Sequence, residues 1–203
     1  MPCDDIFPGL NEVHLVGTVS SAPCFDYVNA GHDFVVHDGI LDVARLSGTV
    51  DHVPFAVTAS CAAGYNVGDR IALSGALVSR NRPKVPGSVH RLAVSVSAAE
   101  PAREQTDENN VRLCGHICRP PLLRETPSGI EVCEITLAVP RGYGPQDYVF
   151  CVAWNGMARS MSKMTVGAVV SAEGRFQSRT YMKKTGGFME EHTVYEVSIV
   201  RLM

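Results

Sequence analysis

The residues with the clearest capacity for chemistry lie close together at Cys114-Gly-His116-Ile-Cys118. On a strand, alternate side chains share one face, so two thiols and an imidazole would converge there. That donor set suits a soft metal, but no fourth ligand accompanies it and the spacing of structural zinc sites is missing. The favoured reading is a strand face carrying two small thiols and a polar residue, with no metal and no cofactor. Seven cysteines are present, an odd number, and none forms a C-x-x-C pair. Residues 1–10 carry Asp4 and Asp5 and no basic residue, which argues against a secretory signal. Reduced, mostly buried thiols in a cytoplasmic protein are therefore expected. No Ser/His/Asp grouping, phosphate-binding glycine loop, H-E-x-x-H or deaminase motif occurs, so the chain is not expected to be an enzyme.

Any site must be positioned by a framework that occurs twice. Asn11-Glu-Val-His-Leu-Val-Gly17 is echoed by Asn110-Val-Arg-Leu-Cys-Gly115, an offset of 98 at the glycines. Pro23 and Gly31 fall on Pro121 and Gly129 at the same offset. Leu41-Asp-Val-Ala-Arg45 falls on Leu137-Ala-Val-Pro-Arg141, and Asp51 on Asp147, at offset 96. Val67-Gly68 and Gly75 fall on Val166-Gly167 and Gly174 at offset 99. Agreement at this many ordered positions marks a tandem duplication of a unit of about 95 residues, longer than a solenoid repeat. Residues 1–97 form the first unit, 98–109 a polar linker, and 110–203 the second unit.

Each unit reads as mostly strand. Residues 13–19 and 111–117 alternate apolar side chains up to a glycine that suggests a bend or bulge. Further strands are expected at 130–139, 148–154, 168–176 and 193–202, with Lys183-Lys-Thr-Gly186-Gly187 as a hairpin turn. Residues 157–164 form the convincing helix of the second unit, and Met157, Met161 and Met164 on it are expected to pack against the core. The counterpart at 60–67 is shorter and carries Gly64, so about one helical turn is expected there. The fold class is thus all-β with a short helix: two tandem OB-folds, each a five-stranded Greek-key barrel.

The second unit resembles the bacterial single-stranded DNA-binding protein family. The resemblance rests on Asn110–Gly115, Pro121-Leu-Leu-Arg124-Glu-Thr126-Pro-Ser-Gly129, Ile135-Thr-Leu-Ala-Val139, Val149–Trp154 with Ala158, and Glu173-Gly174-Arg-Phe-Gln-Ser-Arg-Thr-Tyr181. It implies single-stranded DNA as the partner, bound with little sequence preference, in DNA replication, recombination or repair. It also implies four base-stacking positions, which fall on Tyr143, Tyr148, Trp154 and Tyr181. Arg124, Arg175 and Arg179 lie in the matching motifs, with Lys183 and Lys184 in the hairpin. A flat, partly exposed ring stacks a base at a gain of about 1–3 kcal/mol, and nearby cations hold phosphates. The alternative is a primosome-like assembly module on the same barrel, with weak or no nucleic-acid binding.

The first unit departs from that pattern. It has Ser47, His52, Thr58 and Arg82 at the four stacking positions, so it is expected to keep the barrel and lose much of the binding face. Its basic stretch Arg80-Asn-Arg82-Pro-Lys84 parallels the second hairpin. The opening strands are the edges expected to pair, within the chain or in a homodimer supplying four barrels. The chain stops at Met203 without the acidic tail by which such proteins dock replication and repair enzymes, leaving those partners open. No apolar run approaches a membrane span, so no membrane partner is expected.

The net charge of -3 hides a split. Residues 1–105 hold 7 basic and 11 acidic residues, whereas 106–203 hold 11 basic and 10 acidic. An acidic unit lacking the stacking rings is averaged with a near-neutral one that has them, so the total does not exclude a polyanionic partner.

Overall fold

Alternating apolar residues give strands whose inner side chains must meet one another, and here they do so inside two barrels. The computed structural model describes residues 9–29, 34–62, 64–80, 91–103, 106–141, 145–186 and 188–203. The first barrel comprises β1 (Asn11–Asn29), β2 (Phe34–Ala44), β3 (Val50–Thr58), β4 (Arg70–Arg80) and β5 (Arg91–Pro101), with the one-turn helix α1 (Ala59–Ala62). The second comprises β6 (Glu108–Ile117), β7 (Leu122–Glu125), β8 (Glu131–Val139), β9 (Asp147–Trp154), β10 (Val169–Thr185) and β11 (Phe188–Leu202), with α2 (Asn155–Met161) between β9 and β10. Both barrels close in the same way. In the first, β1 pairs with both β2 and β4, and β3 runs parallel to β5. In the second, β6 pairs with both β8 and β10, and β9 runs parallel to β11. The fold is the expected pair of tandem OB-folds.

The repeated glycines mark where barrel walls cross closely. A Cβ on Gly17 would lie 2.3 Å from the Asp42 carbonyl oxygen, and one on Gly115 would lie 2.7 Å from that of Ala138. On Gly75 and Gly174 the clash would be 2.1 Å with the Ser95 oxygen and 2.3 Å with the Ser198 oxygen. Inside, Phe55, Leu15, Leu41, Leu73 and Leu77 fill the first barrel, and Phe176, Leu113, Ile117 and Leu137 fill the second. Met161 is fully buried, and Met157 and Met164 pack against the same core, as helix packing requires.

Several boundaries differ from the sequence reading. The helix spans Asn155–Met161, and Thr165 to Gly167 turn the chain into β10. β10 and β11 run on to Thr185 and Phe188, so Lys183 and Lys184 lie on a strand, with the turn at Gly186 (φ 59°). The first strand of the repeat is continuous as β1 but divided into β6 and β7, because Pro120 and Pro121 remove two ladder donors. The connector narrows to 102–107 between β5 and β6. The thiols also depart from expectation: Cys114 is disulfide-bonded, and Cys24 and Cys61 are exposed, while Cys133 and Cys151 are buried. No helix among the described residues is long and apolar enough to cross a membrane.

The opening strands pair with each other. β1 and β6 run antiparallel, with Val13 opposite Val111, the residue it matches in the repeat. An approximate two-fold axis therefore passes between these two valines, and one continuous sheet joins the barrels. Asn11 and Asn109 sit symmetrically beside that seam. Asn11 donates to the Leu77 oxygen at 2.8 Å and accepts from its N–H at 2.9 Å, and Asn109 does the same with Phe176 at 2.7 and 2.8 Å. Each side-chain amide thus continues the ladder like one further strand residue.

Candidate nucleic-acid interface

β8, β9, β10 and β11 turn one set of side chains into the second barrel and the other set outward. On β9 the inner positions Val149, Cys151 and Ala153 are buried, which leaves Tyr148, Phe150, Val152 and Trp154 facing out. Tyr148 and Trp154 lie about 20 Å apart along that row at ~3.3 Å per residue. Tyr148 is 51% exposed. Trp154 is half-buried, and its indole N–H donates to the Ser198 hydroxyl at 3.1 Å. Asn155 follows it with φ 50°, a left-handed conformation asparagine tolerates, so the chain turns into α2 immediately after the tryptophan.

On β10, Phe176 points into the core, so Arg175, Gln177, Arg179, Tyr181 and Lys183 face outward. Tyr181 stacks on His192 with ring centroids 5.8 Å apart, and the Arg179 guanidinium lies 5.5 Å from the tyrosine ring centre. Arg179 also donates to the buried Glu196 carboxylate at 3.4 Å. Arg124 on β7 donates to Glu134 through Nε at 2.9 Å and through Nη2. These elements enclose a groove of about 540 Å³, whose walls include Arg119, Arg124, Phe150, Arg179, Tyr181 and Glu196. A groove with cations at its rim and rings on its floor can hold phosphates and bases together.

The sequence-derived residues thus divide. Arg124, Arg179 and Tyr181 meet in the groove. Tyr148, Trp154 and Lys183 share the same outward face of the barrel and its hairpin. Lys184, with odd–even parity reversed, faces the opposite side with Met189. Arg175 lies outside the groove, in a cleft between the barrels. Tyr143 falls outside the described residues.

Three groups escaped the sequence reading. Arg119 and Phe150 line the groove. Phe188, 77% exposed, pairs with Thr185 on the hairpin and so shares the face of Lys183 and Tyr181. Phe150 lies two positions from Tyr148, so the strand expected at 148–154 already places it on the same face. Phe188 needed the hairpin register. Of the initial metal candidate, Cys114 is buried in a disulfide, His116 Nδ1 faces the Gly167 oxygen at 3.4 Å, and the Cys118 thiol contacts the Thr136 oxygen at 3.3 Å. These three groups hold other partners, and the described residues contain no cluster fit for a metal ion.

The equivalent face of the first barrel is built differently. His52 and Thr58 occupy the positions of Tyr148 and Trp154, and His52 Nδ1 lies 2.7 Å from Asp42. Asp38 and Arg80, which the repeat places on Glu134 and Arg179, form an ion pair at 2.6 Å with side chains only 7% and 11% exposed. Ser47 is exposed in a turn, and Arg82 lies outside the described residues.

The barrels are held face to face by a repeated contact. Arg45 grips Asp51 through Nε at 2.7 Å and Nη2 at 2.5 Å, and Arg141 grips Asp147 at 2.6 Å through both nitrogens. Asp51 accepts the Ser178 N–H of the second barrel at 3.3 Å, and the Ser178 hydroxyl accepts the His52 N–H at 2.9 Å. Asp147 and Tyr148 make the matching contacts with Ser79 of the first barrel at 2.6 and 3.0 Å. Arg45 also reaches Gln177 at 3.3 Å, and Gln177 donates to Glu196 at 2.9 Å. A hydrogen-bonded path therefore links Asp51 of the first barrel to Arg179 in the groove of the second.

Comparison with known proteins agrees with this geometry. A model of the single-strand binding protein family matches residues 108–203. The single-stranded DNA-binding protein of Halalkalibacterium halodurans is 35% identical over 85 residues, 38% of this chain and 51% of the relative. That of Oceanobacillus iheyensis is 33% identical over 99 residues, 45% of this chain and 58% of the relative. The aligned parts thus span about half the length of these relatives. The crystal structure of the wild-type single-stranded DNA binding protein from Thermus aquaticus superposes with a TM-score of 0.69 at 24% identity. It covers 96% of this chain and 92% of that one, which extends the shared fold to both barrels. The second barrel thus matches the single-strand binding protein family model, and the two barrels together share the fold of the Thermus aquaticus structure.

Proposed function

We propose that this chain is a non-catalytic, cytoplasmic protein that binds single-stranded DNA with little sequence preference, in DNA replication, recombination or repair. The observation that carries the reading is the shared outward face of Tyr148, Trp154, Arg179, Tyr181, Lys183 and Phe188 on the second barrel. Rings there stack bases of any identity, and the interspersed cations take phosphates. Residues 110–203 supply the main platform. The first unit supplies a barrel whose corresponding face has exchanged rings for His52, Thr58 and a shielded Arg80–Asp38 pair, and 102–107 connect the two. Two copies of the chain would supply four barrels.

Titration with poly-dT tests this directly. The single tryptophan, Trp154, is quenched as the strand binds, and the affinity falls steeply with salt. Absence of binding by the intact chain, with capture of a protein partner by the same face, would establish the assembly-module reading instead.

A further inference from the structure

The two-fold repeat is broken at one informative position. Each barrel contributes an arginine–aspartate pair to the boundary, Arg45–Asp51 and Arg141–Asp147. Beside Arg45 stands a second guanidinium, that of Arg175 on β10. The repeat places Ala76 of β4 at the matching position on the other side of the axis. One side of the two-fold contact therefore carries a cation whose counterpart on the other side is an alanine.

That cleft holds about 520 Å³ and is lined by Arg45, Leu46, Ser47, Asp51, Asp107 and Arg175. Its two carboxylates are already engaged. Asp51 is held by Arg45 and by Ser178, and Asp107 accepts from Arg70 and from the Ala44 N–H, both at 2.6 Å. Arg175 has a different environment. Its Nε is buried and has no hydrogen-bond partner among the described residues. Burial and the neighbouring charge of Arg45 both lower its pKa, so the site bears a real cost for holding that charge. A half-buried guanidinium beside another cation is an incomplete arrangement that an anion would complete.

We propose that this cleft is a second phosphate site, which takes a backbone phosphate of the same single strand that lies on the outer face of the second barrel. The inference rests on the proposed function. Its geometry comes from β10, where Arg175 continues the outward row of Tyr181, Arg179 and Gln177. Gln177 is covered by Arg45, so a strand leaving the groove along that row passes over Arg45 and meets the cleft. The first barrel then contributes to binding through Arg45 and the turn at Ser47, although its own stacking face is gone.

The test compares intact wild type with Arg175→Gln on two oligo(dT) probes across a salt series. One probe, of about 8 nucleotides, fits within the site of a single barrel, and the other is about 35 nucleotides long. The expected result is an unchanged affinity for the short probe and a five- to tenfold loss for the long one. The log–log salt slope for the long probe should fall by about 0.7, the share of one phosphate contact on a single strand. Ser47→Glu, an exposed turn substitution that leaves Arg175 in place, should give the same selective loss through repulsion. Melting temperatures accompany both variants: a lower value for Arg175→Gln with an unchanged long-probe slope would show a purely structural arginine and overturn the proposal. Inorganic phosphate is the third probe. If it stabilises wild type but not Arg175→Gln while long-probe binding is the same in both, the cleft takes free phosphate and the assignment to the strand falls. Failure of wild type to bind either oligonucleotide would sink the DNA-binding reading itself, a different outcome from all of these.

Discussion

The Ser79 N–H donates to the Asp147 carboxylate at 2.6 Å, across the boundary between two barrels and over 68 residues of sequence. Asp147 is almost completely buried and also receives both donors of Arg141. Replacing it with alanine removes the acceptor for all of these groups at once. Asp147→Ala should therefore lower stability by about 2–4 kcal/mol, read as a reduced urea midpoint. Asp51→Ala should do the same on the other side of the axis, where Ser178 and Arg45 lose their acceptor.

On the proposed function, the rings of the second barrel should contribute unequally to binding. Tyr181→Ala should weaken oligo(dT) binding by about 1–3 kcal/mol, roughly five- to 150-fold. Phe188→Ala, at the end of the same face, should cost about fivefold and leave the melting temperature unchanged, because its ring is 77% exposed. His52→Ala on the first barrel should leave affinity unaltered. Isothermal titration of the three variants checks the order, and equal effects at His52 and Tyr181 would contradict the division of labour.

Arg179 carries charge where Tyr181 carries a ring. Arg179→Gln should flatten the salt dependence of binding by about 0.7 in log–log slope, while Tyr181→Ala should leave that slope in place. Parallel titrations at four salt concentrations separate the two contributions.

Gly75 and Gly174 are held to glycine by space, since a Cβ there would lie 2.1 and 2.3 Å from an opposing carbonyl oxygen. Gly75→Ala should destabilise the protein by about 1–3 kcal/mol through forced backbone shifts. Thermal unfolding gives the measurement. Gly156→Ala is the control, because its Cβ would meet nothing.

Thiol reactivity should follow burial. Burial raises the pKa of Cys133, and that of the fully buried Cys151 well beyond the range of a free thiol. A group with a raised pKa is even less ionised at pH 8 than a free thiol, so alkylation is slow for want of thiolate as well as access. In native protein, iodoacetamide at pH 8 should label Cys24 and Cys61 first, with Cys133 and Cys151 reacting only in denaturant. Mass mapping of the labelled sites provides the check.

Much of this was legible from residue order. The offset of the glycines marked the bends that the structure shows as close crossings, and a strand over 148–154 puts Tyr148 and Trp154, six residues apart, on one face. Arg175 was not legible in the same way. Its motif grouped it with the stacking residues, but its surroundings depend on which turn of the other barrel lies beside β10. Lys184 and Phe188 depended on hairpin register: one residue more or less in the turn would exchange which of them faces Tyr181. The thiols were misjudged for a related reason, since composition speaks to redox setting but not to which cysteines the fold brings close.

The seam between β1 and β6 has a final consequence. Because it joins two parts of one polypeptide, its formation obeys first-order kinetics, and dilution does not separate the barrels as it would separate a dimer. A mutation also reaches only one half of the seam. A homodimer must accept each change twice, on both sides of its axis, whereas here Arg175 and Ala76 can differ. Covalent linkage thus released the two halves from identity, so that one could gain a cation or a ring without imposing it on the other.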